Sequence, residues 1–185
     1  MRQGVDRGET TPRRGNSLLG SLVEVVGIVV TAFVLALLIQ QFVVKPFYIP
    51  SVSMEPTLLV GDRVLVNRFV YRFGSPKVGD VVVFHPPVAP QEDYIKRVVA
   101  VGGQTIGVHN GKLYRDGKPV NEPYLEDPVM SKDSPDVKVP AGEVFVMGDN
   151  RNDSGDSRVF GPVPVSSLLG KAFVIYWPLN RIGGL

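Results

Sequence analysis

Two serines stand two residues apart in the octapeptide Pro50-Ser51-Val52-Ser53-Met54-Glu55-Pro56-Thr57. A serine hydroxyl hydrolyses an amide when a base takes its proton and donors receive the oxyanion. Bases are scarce in this chain. There is no cysteine, which excludes thiolate chemistry and disulfides, and there are only two histidines. His85 lies in Phe84-His85-Pro86-Pro87 at an apparent strand end, and His109 adjoins the Asn110-Gly111 turn. Both contexts suit ordinary loop residues, and a Ser-His-Asp arrangement stays open on these grounds alone.

Lysine is the other base to test. An unperturbed lysine, with a pKa of about 10.4, is protonated at neutral pH, and bringing it near neutrality takes on the order of 4 kcal/mol of desolvation. That requires an amine inside an apolar strand. Tyr94-Ile95-Lys96-Arg97-Val98-Val99-Ala100-Val101 offers it. Alternation puts Tyr94, Lys96 and Val98 on one face and Ile95, Arg97 and Val99 on the other, so one cation can face inward. Solvation of both on an edge strand is the competing reading. A third segment, Gly148-Asp149-Asn150-Arg151-Asn152-Asp153-Ser154-Gly155-Asp156-Ser157-Arg158, is dense in short polar side chains that bond neighbouring backbone. As a functional loop it would supply a hydroxyl to position Lys96 and an Asp–Arg pair to hold that hydroxyl. Asp149, Asp153 and Asp156 lack the closing Glu of an EF-hand loop, so no metal is expected there.

These segments need elements to hold them. Residues 1–16 are polar and glycine-rich and are expected to be a disordered cytoplasmic tail. Residues 17–44 read as a transmembrane anchor. About 22 residues at about 1.5 Å each give about 33 Å, against a hydrocarbon thickness of about 30 Å. Val25–Ile39 shows no polar stripe, and no small-x-small cleavage site follows it. Arg2, Arg7, Arg13 and Arg14 precede the span while only Lys45 follows closely, which predicts a cytoplasmic N-terminus.

Residues 45–185 read as one extracytoplasmic, mostly β domain, a folded-over barrel-like sheet. Strands are predicted at 62–67, 80–84, 94–101, 144–147 and 172–177. The turns Asn110-Gly111 and Asp116-Gly117 predict a meander over 105–121. Residues 122–140 read as a long surface loop. The net charge of +2 gives no sign of nucleic-acid binding.

With these three segments in order behind an apolar span, the sequence resembles bacterial type I signal peptidase, a membrane-bound family that uses a serine–lysine dyad. The family's boxes are Ser-x-Ser-Met-x-Pro-Thr-Leu, Tyr-Ile-Lys-Arg-Val and Gly-Asp-Asn-Arg-x-x-Ser-x-Asp-Ser-Arg. They are matched by Ser51–Leu58, Tyr94–Val98 and Gly148–Arg158. The resemblance implies Ser53 as nucleophile and Lys96 as general base. It implies an oxyanion hole from the Ser51 hydroxyl and the Ser53 N–H. Ser154 would orient the Lys96 amine, with Asp156 and Arg158 as a supporting ion pair, and Asp149 and Arg151 would be structural. Phe47, Ile49, Pro50, Met54, Tyr94 and Ile95 would line shallow pockets for the Ala-x-Ala end of a signal peptide. The implied partners are signal peptides of exported pre-proteins, the lipid bilayer of the cytoplasmic membrane and, transiently, the export machinery, with no cofactor or metal. Two departures stand out. Val52 replaces a frequent glycine, and Ala100–Gln104 differs from the usual turn. The short 105–140 stretch implies a small or absent cap. A self-cleaving Ser-Lys relative and an idle, membrane-tethered β module are the rival functions.

Overall fold

The computed structural model describes residues 17–185, and the predicted tail over 1–16 lies outside the described residues. The chain divides into two units, Met1–Gln40 and Gln41–Leu185. The first carries helix α1, Ser17–Phe42. Its stretch Gly20–Leu38 is long and apolar enough to cross a membrane, and none of it is buried against protein. Ile28, Phe33 and Leu35 are exposed along it. A helix that is apolar all round and uncovered by protein is matched to lipid.

The second unit is mostly β. In chain order its strands are β1 (Val44–Tyr48), β2 (Arg63–Asn67), β3 (Val81–Phe84), β4 (Tyr94–Val101), β5 (Thr105–His109), β6 (Lys112–Arg115), β7 (Lys118–Pro119), β8 (Ser134–Lys138), β9 (Glu143–Met147), β10 (Val163–Pro164), β11 (Leu168–Trp177) and β12 (Gly183–Gly184). Val44 pairs with Asn67, which draws β1 back to one residue before Lys45, where the sequence pattern opens the domain.

A large antiparallel sheet runs β1-β2-β11-β3-β4-β9-β10, with β12 on β11. Bulges in β11 and β4 curl it into a half-barrel. A four-stranded sheet, β7-β6-β5-β8, forms a small cap that contains the predicted meander.

The period-two pattern of the strands explains why both faces of the large sheet are covered. Val81 and Val83 of β3 join a cluster with Ile49, Met54, Leu58, Val64 and Val66. Val82 and Phe84 turn the other way, to Val98, Val144, Val146 and Val163. A third cluster lies under the cap around Ile106, Val108, Leu113 and Met147.

Two sequence expectations are corrected here. Residues 122–140 are not simply a surface loop: they contain β8, and Met130 and Val139 are buried in the cap's core. β8 alternates weakly because only Val137 packs inward, which hides its strand pattern. The serine octapeptide is not extended throughout: Ser51 and Glu55 have extended backbone, but the residues between them do not. Residues Val52–Met54 close a single 3₁₀ turn, with Glu55 N donating to Val52 O at 3.0 Å.

Candidate functional site

Lys96 sits on β4, a central strand rather than an edge. Val82 of β3 lies opposite it on one side. On the other side β9 begins its pairing only at Arg97, opposite Met147, so the chain leaves the sheet at Gly148. The space beside Lys96 is taken by the Gly148 loop and the Ser53 turn. Both cations are buried, Lys96 at 4% and Arg97 at 9% exposure, on opposite faces. The edge-strand reading of this segment is therefore overturned: the sheet curls and is covered on both sides.

Lys96 Nζ donates to Ser53 Oγ at 2.6 Å, and Ser53 is itself only 8% exposed. Burial pulls the Lys96 pKa down to about 8, against the opposing pull of the Asp156 and Asp149 carboxylates. The Tyr94 ring flanks the amine at 5.6 Å. A neutral amine of this kind can accept the serine proton, which its protonated form cannot. Ser51 Oγ stands 3.3 Å from Ser53 Oγ.

The loop after β9 fixes the serine from behind. Asn150 N donates to Ser53 O at 3.1 Å, and Asn150 Nδ2 donates to Val52 O at 3.3 Å. A Cβ on Gly148 would collide with Ser53 O and with Ser154 Oγ, so only glycine permits this approach. Gly148 N in turn donates to Asp156 Oδ2 at 3.1 Å. Asp156 is held by Arg158 through Nε at 2.9 Å and Nη2 at 2.7 Å. Ser154 Oγ is buried but has no hydrogen-bond partner, so the bond to Lys96 expected from the sequence is not made.

Two more buried ion pairs brace the loop. Arg97 grips Asp149 through Nε at 2.8 Å and Nη2 at 2.6 Å, and Thr57 Oγ1 donates to the same carboxylate at 2.6 Å. Arg151 grips Glu122 with two bonds of 2.6 Å, and its Nε donates to Gly148 O at 3.0 Å. Thr57, Glu122 and Asn150 carry no local sign of these roles. Glu122 meets its arginine across 29 residues, beyond the reach of any local pattern.

The histidines are elsewhere. His85 Nδ1 lies 3.3 Å from Asp93, and His109 Nε2 lies 2.7 Å from Asp136. Neither imidazole ring is hydrogen-bonded to a serine. Of the expected pocket residues, Ile49 and Met54 are fully buried and form core beneath the serine turn rather than a surface. Phe47, Tyr94 and Ile95 are half-buried and Pro50 is exposed. Tyr94 packs edge-on against Phe84 on one face of the sheet, and Ile95 joins the Ile49 cluster on the other.

Comparison with known proteins follows the same residues. The profile of the family described as signal peptidase, peptidase S26, matches residues 22–177. The probable signal peptidase I-1 of Synechocystis sp. is 47% identical over 169 residues, covering 88% of this chain and 86% of the relative. Signal peptidase I of Mycobacterium tuberculosis is 39% identical over 211 residues, covering 83% and 72%. The probable chloroplastic thylakoidal processing peptidase 2 of Arabidopsis thaliana is 37% identical over 177 residues, covering 92% and 48%.

Proposed function

Since the chain belongs to the signal peptidase I family, the S26 serine peptidases that remove signal peptides, we propose that Ser53 and Lys96 carry out that cleavage in this protein. The observation that supports this most is the 2.6 Å contact between a buried amine and a buried hydroxyl. Lys96 takes the Ser53 proton as Oγ attacks the scissile carbonyl. The same nitrogen then gives the proton to the leaving amine, and an acyl-enzyme remains. Water, deprotonated by Lys96, releases the signal peptide. The oxyanion is received by the Ser53 N–H and, after rotation from its present contact, by the Ser51 hydroxyl.

The substrate end, of Ala-x-Ala type, adds as a strand beside Tyr94 and Ile95. Support comes from β4, which has no β9 partner before Arg97. Phe47, Pro50, Tyr94 and Ile95 supply the side-chain contacts. Ser154 orients the amine once a rotamer change frees its hydroxyl, with the Asp156–Arg158 pair behind it. The anchor holds the enzyme in the membrane. The arginine excess before the span supports a cytoplasmic N-terminus and an extracytoplasmic domain from residue 45 onward.

A pH–rate profile tests the dyad. Lys96 must be neutral to act, so kcat/KM for a signal-derived peptide rises with pH and levels off above about 8. At two pH units below the midpoint the rate falls about 100-fold, because only about 1% of the amine is neutral. An acidic limb at the ordinary lysine value near 10.5, or a limb set near the histidine value of about 6.5, would contradict the assignment.

Gly148→Ala gives a second check. The added methyl pushes the Ser53 carbonyl and with it the nucleophile. A displacement of about 1 Å costs about 100-fold in kcat. Wild-type kcat in this variant would mean that the loop does not set the serine's position.

A further inference from the structure

We infer that the segment from Arg68 to Phe73 docks the domain on the membrane by binding the anionic phosphates of lipid headgroups. The inference goes beyond the peptidase reading and rests only on the membrane anchor. Asn67 ends β2 opposite Val44, and Arg68 N donates to Val43 O at 2.9 Å. Val43 directly follows the last residue of the apolar helix, Phe42. Chain connectivity therefore keeps this end of β2 close to the bilayer surface.

The segment that follows is built, not loose. Asn67 Oδ1 accepts from Phe69 N at 2.9 Å and from Val70 N at 3.2 Å. Val70–Phe73 make one helical turn, α2. Tyr71 turns inward and donates to Asp80 Oδ2 at 3.1 Å, and Asp80 is tied to Lys171 at 2.6 Å. With Tyr71 pinned, its neighbours are forced outward. Phe73 is 86% exposed, and Arg68 and Arg72 are exposed as well.

Neither Arg68 nor Arg72 makes an ion pair among the described residues, and Asp80, the carboxylate that holds Tyr71, is already paired with Lys171. Both arginines line a cleft of about 380 Å³ whose other walls include Phe69, Ser166 and Leu168. Arg72 stacks 4.9 Å from the Phe69 ring. An unpartnered pair of guanidiniums suits phosphate, and a protruding phenyl beside them suits the interface zone just below it. A free anion would leave Phe73 in water. A lipid surface satisfies both groups.

The chain has no cysteine, so Ser75→Cys carries a single environment-sensitive fluorophore in the full-length protein. The labelled protein is reconstituted in phosphatidylcholine vesicles with and without phosphatidylglycerol. The expected result is a blue shift and quenching by headgroup-level spin-labelled lipid in the anionic vesicles. Arg68→Gln with Arg72→Gln lowers the docked-to-free ratio about 30-fold, roughly fivefold for each cation. Phe73→Ser weakens quenching in both lipids. Cleavage of a soluble peptide in detergent stays at wild-type rate in all three variants, which separates failure here from failure of the peptidase reading.

Several outcomes overturn the inference. One is equal access of iodide to the probe in anionic vesicles and in micelles. Another is undiminished quenching in the double glutamine variant. A third is the same shift produced by inorganic phosphate in micelles, which would make the site a soluble-anion site. A fourth is a shift that appears only when pre-protein is added, which would make it a protein contact.

Discussion

Lys96→Met abolishes signal peptide cleavage and makes the folded domain more stable at neutral pH. Loss of activity of at least about 10⁴-fold is expected, because dyad members act as a unit and removing either leaves only binding and oxyanion stabilisation. Ser53→Ala gives the same loss. The stability gain has a separate origin. Burial holds the Lys96 pKa at about 8 in the folded state against 10.5 outside it. Between those values the unfolded chain binds the proton and the folded one does not, so stability of the wild type rises with pH across that window. Below about 8 the wild type bears the whole penalty, about 3 kcal/mol. Methionine has similar volume and no charge to desolvate. Against this stands the lost hydrogen bond to Ser53, about 1 kcal/mol. A net gain of about 2 kcal/mol at pH 7, shrinking to nothing or reversing above about pH 10.5, is the expected pattern in thermal unfolding of the two proteins. A variant that loses activity and also melts earlier at pH 7 would show that Lys96 is not destabilised by burial, and the basis for its low pKa would go with it.

What the sequence revealed and what it hid divide along physical lines. The strand that carries Lys96 was legible in its apolar run, and Tyr94–Val101 is β4 residue for residue; the run alone left solvation on an edge strand open, and the pairing of Lys96 with Ser53 was an expectation from the resemblance. The Asn-Gly and Asp-Gly turns placed β5 to β7 because type I′ geometry requires those residues; Asn110 and Asp116 indeed have positive φ. β8 was hidden, since Ser134–Lys138 holds a proline and two charges and pairs with β5 through a bulge. Burial depth was also hidden. Ile49 and Met54 look like pocket residues beside the serines, yet whether an apolar side chain reaches the surface depends on what packs from distant strands. Ser154 matches its motif, but its hydroxyl lacks a partner in the observed rotamer. Side-chain orientation at a crowded glycine is not encoded in local spacing.

The buried pairs behind the serine suggest the other large effect, on stability rather than chemistry. Arg151→Leu destabilises the domain by about 3–5 kcal/mol, because it leaves Glu122 charged and without its cation in a site closed to water. The side chains of Arg151 and Glu122 are 0% and 5% exposed, so water cannot take the place of the lost partner. Tyr124 donates to Glu122 at 2.6 Å, and burial together with that carboxylate already holds its pKa well above the ordinary phenol value; it cannot neutralise the anion. Removing both charges tells pair from packing. Glu122→Leu with Arg151→Leu should recover most of the lost stability, since an apolar pair of similar volume escapes the desolvation cost. Activity should not recover to the same extent. Arg151 Nε also holds Gly148 O, and Gly148 backs the Ser53 carbonyl. The double variant is therefore expected to melt near the wild type yet turn over about 10- to 100-fold more slowly, by the cost of a misplaced nucleophile. Equal recovery of both would mean that the Glu122–Arg151 bridge carries only stability, and that the loop holds Ser53 through Asn150 and Asp156 alone.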